Sequence, residues 1–159
     1  MINLPKDIEY IITDFDGVMT DGFVYIKDGS SDFTKRINFK DVMAVSIAQK
    51  NGYRVAIISG DEGSIIDYIA DKFKLQEVHT NIRDKKEVLQ QILYRHNIDK
   101  KKVVFVGDDV NDIECLKYVG FPVTVQNANS KVKTLEGIQI TEAEGGNGAF
   151  REIIDALVD

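Results

Sequence analysis

Tyr10-Ile11-Ile12-Thr13 runs straight into Asp14-Phe15-Asp16-Gly17, and this junction of an apolar run with an acidic turn decides the fold. Apolar residues on successive positions, without alternation, predict a strand buried on both faces, as in the interior of a parallel sheet. The pattern recurs at Val55-Ala56-Ile57-Ile58, Val103-Val104-Phe105-Val106 and Val123-Thr124-Val125. Helical stripes separate these runs. Val42, Val45 and Ala48 predict a helix ending at Asn51-Gly52, and Ile65, Ile66, Ile69, Ala70 and Phe73 predict a second. Val88, Leu89, Ile92 and Leu93 predict a third, and Ile113, Leu116 and Val119 a fourth closed by Gly120. Strand and helix alternate, which predicts an α/β class with a doubly wound, mostly parallel sheet.

One segment departs from that rhythm. Phe23 to Ile26, the turn Lys27-Asp28-Gly29-Ser30 and Phe33 to Phe39 predict a β-hairpin directly after the first strand, because Asp-Gly is a turn signal between aromatic and β-branched flanks. Such an insertion overhangs the carboxyl ends of the strands, the edge where ligands bind in this architecture.

With 159 residues, two prolines, no repeat and no linker, the chain reads as a single domain, 1–159, able to bury a core without disulfides or structural metal. Twenty-six acidic against 20 basic residues give a net charge of −6, which argues against nucleic acid or an anionic membrane surface as partner. No apolar run approaches the ~20 residues of a membrane span. Met1 to Tyr10 carries no signal-peptide core, and the single Cys115 suits a reducing compartment, so the expectation is a soluble cytoplasmic domain.

The acidic excess concentrates at strand ends. Asp14-Phe15-Asp16-Gly17 follows the first run, Ser59-Gly60 the second, and Gly107-Asp108-Asp109-Val110-Asn111-Asp112 a later one. Parallel strands place these ends along one crevice, so several carboxylates converge and must be offset by positive charge. An all-oxygen set without a cysteine or histidine pair points to Mg²⁺. Solvated turn chemistry is the alternative for either cluster alone; a calcium loop does not fit, since Val18 stands where an oxygen ligand is needed. Cys115, inside a helical stripe, reads as core, and His79 and His96 as structural or exposed.

These residues resemble the haloacid-dehalogenase-like phosphatases. Asp14 to Gly22 is similar to the first motif in its extended form, Ser59 to the second, Lys85 to the third, and Gly107 to Asp112 to the fourth. The extended first motif, the hairpin and Gly145-Gly146-Asn147-Gly148-Ala149-Phe150-Arg151-Glu152 narrow the resemblance to the capless members related to 3-deoxy-D-manno-octulosonate 8-phosphate phosphatases. It implies a Rossmannoid sheet with a hairpin flap and no cap domain. Asp14 is then the nucleophile and Asp16 the proton donor and acceptor. Mg²⁺ lies on Asp14, the Asp16 carbonyl and Asp108; Asp109 and Asp112 support Lys85 and metal-bound water. Ser59 holds a phosphoryl oxygen, helped by the N–H of Gly60 or Asp61 at a helix start. Lys85, not Lys86, is the motif lysine, because it follows the expected cap Asp84.

The resemblance also implies a homotetramer in which neighbouring subunits close each site, with a small phosphorylated sugar acid as substrate. Two departures bear on which acid. Where the octulosonate enzymes carry Gly-Arg, this chain has Gly60-Asp61, and where they carry Asp-Gly it has Asp41-Val42. Relatives acting on nine-carbon acids carry an acidic residue at the Asp61 position and a lysine eleven residues on, here Lys72. The pattern therefore leans to a 2-keto-3-deoxynononate or N-acylneuraminate 9-phosphate, with 3-deoxy-D-manno-octulosonate 8-phosphate as the alternative. From another class, a phospho-accepting receiver-like switch is the competing reading; its acceptor aspartate would end the third strand, where this chain has His79-Thr80-Asn81.

Overall fold

The computed structural model describes residues 2–158. Six strands form one sheet: β1 (Tyr10–Thr13), β4 (Arg54–Ile58), β5 (Glu77–His79), β6 (Val103–Val106), β7 (Phe121–Thr124) and β8 (Gln139–Ile140). Their order is β5-β4-β1-β6-β7-β8, and every neighbouring pair is parallel. The order reverses at β1, which has β4 on one side and β6 on the other. That reversal opens a crevice at the carboxyl ends of these three strands.

The sheet is sandwiched between helices, and successive residues of each strand serve opposite layers. Ile11, Val55, Ile57, Val104 and Val106 pack with α1 (Phe39–Lys50), α2 (Ser64–Phe73) and α6 (Ala149–Val158). Tyr10, Ile12, Ala56, Ile58, Val103 and Phe105 pack with α3 (Lys85–His96) and α4 (Ile113–Leu116), with Val132 of α5 (Ser130–Lys133) completing that side. All four residues of β1 and of β6 are buried, which is why those segments show no alternation in sequence.

The hairpin is a separate two-stranded antiparallel sheet of β2 (Thr20–Ile26) and β3 (Phe33–Ile37). Phe39, expected in the second hairpin strand, instead opens α1, because the Asn38 side chain accepts a hydrogen bond from Lys40 N at 2.9 Å and caps the helix. The fourth helix is shorter than its stripe predicts. After Leu116 the chain tightens into turns, with Tyr118 and Val119 N both on Cys115 O, and Gly120 N reaches Lys100 O at 2.8 Å to enter β7. No described helix is long and apolar enough to cross a membrane.

Candidate active site

Asp14 and Asp16 leave the end of β1, Ser59 follows β4, and Asp108 to Asp112 follow β6, so the sheet gathers all three clusters on one edge. A cavity of about 450 Å³ lies there, lined by Asp14, Asp16, Gly17, Gly22, Ser59, Gly60, Asp61, Asp108, Asp109 and Asn111. The acidic loop after β1 is wound tightly. Thr20 Oγ1 accepts from Gly17 N and Gly22 N at 3.2 Å each and donates to Asp16 Oδ1 at 3.2 Å. Gly17 has φ +86°, and a Cβ there would come within 2.0 Å of Asp108 Oδ2, so only glycine lets that carboxylate lie against the loop.

Lys85 opens α3 beside its cap Asp84, whose carboxylate accepts from Glu87 N at 3.0 Å. Its Nζ lies 2.8 Å from Asp14 Oδ1 and 2.8 Å from Asp112 Oδ1, with the lysine side chain only 1% exposed. Desolvation disfavours the ammonium, but Asp14 and Asp112 outweigh it and raise its pKa, so Lys85 remains charged. Lys86 points elsewhere, to Glu114 at 3.6 Å on the surface. One oxygen of Asp112 thus meets Lys85, while the other accepts from Asp108 N at 3.0 Å and Asp109 N at 3.3 Å. Asp109 does not touch Lys85; it accepts from Val110 N and from Asn129 Nδ2.

Carboxylate oxygens of Asp14, Asp108 and Asp112 all lie within 4.8 Å of one another. Burial first, and then the Asp112 charge, push the Asp14 and Asp108 carboxyls well above the usual range. One ammonium, paired with Asp14 and Asp112, stands beside three buried or half-buried acids, so the cluster has the donor chemistry and the charge deficit of a hard dication site. Asp112 meets protein donors with both oxygens, whereas Asp14 meets Lys85 through Oδ1.

Ser59 is buried on the cavity wall, and its Oγ accepts from Asp61 N at 3.2 Å. Gly60 and Asp61 do not open a helix: α2 begins at Ser64 with Gly63 as its cap, so these N–H groups belong to a loop. Lys72 is not among the cavity's lining residues; its Nζ bonds Tyr68 Oη at 2.8 Å on the exposed side of α2.

Two contributions were not read from the sequence. Lys35 on β3 reaches Asp16 Oδ2 at 2.7 Å and Asp61 Oδ2 at 2.8 Å. The segment Gly145 to Gly148 packs beneath the acidic loop: Gly146 N donates to Val18 O at 2.9 Å, and Asp41 of α1 accepts from Gly148 N and Arg151 N. Remaining reactive types have structural duties. Burial pushes the Cys115 thiol up to about 12, and His79 and His96 both bond the buried Glu77.

Residues 61–153 match the family described as haloacid dehalogenase-like hydrolase. The chain is 26% identical over 158 residues to the 3-deoxy-D-manno-octulosonate 8-phosphate phosphatase of Yersinia pestis, covering 99% of this chain and 83% of that protein. It is 27% identical over 158 residues, with the same coverage, to the enzyme of that name from Escherichia coli K12. A crystal structure of the Moraxella catarrhalis phosphatase of that name, in complex with magnesium, phosphate and KDO, superposes with a TM-score of 0.89. That pair is 25% identical, over 96% of this chain and 87% of the other.

Proposed function

The chain belongs to the haloacid dehalogenase-like hydrolase family, and from that premise we propose that it is a Mg²⁺-dependent phosphatase of a 2-keto-3-deoxy sugar acid phosphate, 3-deoxy-D-manno-octulosonate 8-phosphate first among them. One observation carries the reading. Asp14 is held by a buried ammonium that is itself fixed by Asp112, two residues from a second carboxylate, Asp16, that faces the same cavity. Support for the eight-carbon acid comes from relatives that bear its name, and it displaces the nine-carbon leaning drawn from Asp61 and Lys72. Asp61 is engaged with Lys35, and Lys72 with Tyr68.

Asp14 attacks phosphorus and forms an O–P bond while the P–O bond to the sugar breaks; Asp16 gives its proton to the departing sugar oxygen. Water then attacks the aspartyl-phosphate and yields its proton to Asp16, and the Asp14 carboxylate departs as phosphate is released. A carboxylate approaching a phosphate dianion meets strong repulsion. Lys85, fixed and charged before substrate arrives, offsets it where the phosphoryl charge develops. Ser59 and the N–H of Gly60 are offered to a phosphoryl oxygen, and Asp109 keeps the loop after β6 in shape through Val110 and Asn129. Mg²⁺ would be held by Asp14, Asp108 and the Asp16 carbonyl, and when bound it supplies positive charge to the phosphoryl oxygens.

The same reading includes a cytoplasmic setting and a homotetramer. Phe23, Tyr25, Val24 and Ile26 are all exposed, so both faces of the hairpin are apolar, and a second copy is the occupant that would also close the open cavity. Light scattering of the wild type and of Phe23→Glu tests the assembly, a wild-type monomer overturning it. For the activity, the purified protein with Mg²⁺ is assayed on the eight- and nine-carbon acid phosphates side by side, with Asp14→Asn and Asp61→Arg. Phosphate release undiminished in Asp14→Asn would refute the mechanism, and a higher kcat/KM for the nine-carbon acid would refute the substrate.

A further inference from the structure

We infer that Lys35 is a positioning residue that holds Asp16 from the hairpin side, with Asp61 as its anchor. The inference rests on the phosphatase reading and deepens it. Lys35 Nζ lies 2.7 Å from Asp16 Oδ2 and 2.8 Å from Asp61 Oδ2, and its side chain is only 10% exposed although its strand neighbours Thr34 and Arg36 are open to solvent. The other oxygen of Asp16 accepts from the Thr20 hydroxyl. Both oxygens of Asp16 are therefore engaged, one by Thr20 where β2 begins and one by Lys35 on β3.

The two carboxylates of the acidic loop thus have separate cations. Asp14 rests on Lys85, which rises from α3 inside the core. Asp16 rests on Lys35, which comes down from β3. An ammonium has three donors, so Lys35 can keep both acids at once. Asp61, at the position where the octulosonate enzymes carry arginine, serves here to fix Lys35. Lys35 also lines a second cavity together with Phe15, Phe33 and Ile66.

Burst kinetics with p-nitrophenyl phosphate and Mg²⁺ test this, because the nitrophenolate leaving group needs no proton from Asp16 whereas the water that clears the aspartyl-phosphate does. Lys35→Met is expected to keep a nitrophenol burst close to one per site and to lose about 30-fold in the following steady-state rate, less than the roughly 100-fold or more of losing a general base outright, because Asp16 itself remains. Lys35→Arg, which preserves the charge, is expected to recover most of that rate. Asp61→Asn is expected to cost about 3-fold alone and nothing further in the Lys35→Met background, since partners in one network are not additive. A Lys35→Met steady-state rate within about 2-fold of wild type overturns the inference, as does equal loss of burst and steady state, which a merely structural role would produce. Additive losses for Lys35→Met and Asp61→Asn overturn the anchoring part and assign Asp61 to the substrate instead. A wild-type protein that releases no nitrophenol defeats the phosphatase reading itself, a result distinct from all of these.

Discussion

Replacing Lys85 by Met keeps most of the aliphatic stem and removes only the ammonium between Asp14 and Asp112. The lysine side chain is 1% exposed, that of Asp14 7% and that of Asp112 0%, so neither acid can turn to water when the cation goes. Breaking a buried pair by removing one partner costs about 3–5 kcal/mol, and here one cation serves two acids, with Asp108 a third beside them. Uptake of a proton by Asp14, already favoured by burial, holds the loss towards the lower end of that range. For a domain of this size each kcal/mol moves Tm by roughly 2–4 °C, so a fall of about 10 °C is expected in chelator at pH 7. Added Mg²⁺ should raise the Tm of the variant more than that of the wild type, because the variant has the larger charge deficit. Activity should fall by about 100-fold or more, as when a preorganised donor to a developing phosphoryl charge is lost. Thermal denaturation by circular dichroism, with and without Mg²⁺, reads the stability. A Tm within about 2 °C of wild type, corresponding to less than about 1 kcal/mol, would refute the view that Lys85 compensates this cluster.

Three further outcomes follow from packing and charge. Gly145→Ala places a Cβ 1.8 Å from Gly17 O, so the loop carrying Asp14 and Asp16 must shift; we expect about 2 kcal/mol lost in urea titration, with kcat reduced more than KM. Asp41→Asn turns an amide towards two backbone N–H groups, those of Gly148 and Arg151, that now share a buried carboxylate, and should cost about 2 kcal/mol, with the Gly145–Gly148 segment becoming sensitive to protease. Glu77 is a third case. Desolvation opposes its charge, but hydrogen bonds from Arg95, His79 and His96 prevail and lower its pKa from 4.5 to about 2. A depressed folded-state pKa stabilises above pH 4.5 and loses that contribution as pH falls through the folded value. Glu77→Gln should therefore cost at most about 3 kcal/mol at neutral pH, a difference that narrows as pH drops from 4.5 towards 2 in urea-unfolding titrations.

Much of this protein was legible where the signal is local. Apolar runs marked β1, β4 and β6 as interior strands because a strand covered on both faces has no polar side to show, while Val123-Thr124-Val125 marked only the buried end of β7, whose Phe121 and Pro122 are half-buried. Asp84 before Lys85 located the lysine because a capping carboxylate fixes the first turn, and with it the direction of the side chain that follows. Asp28-Gly29 marked the hairpin. β8, two residues of mixed polarity at the sheet edge, left no comparable trace.

What the sequence determined by itself was therefore the alternation of elements, the edge where the acids meet, and the family motifs. Which groups hold those acids was settled by the packing of elements far apart in the chain. Lys35 meets Asp16 and Asp61 across 19 and 26 residues, through the angle at which the hairpin lies over the crevice. Gly145 meets Gly17 across the whole domain because α6 packs on α1 and Asp41 caps its first turn. Periodicity and capping are properties of neighbours along the chain and can be read from them. A charge shared between distant elements is settled by how faces pack, because the cost of an unpaired buried charge is met only once the whole domain has closed around it.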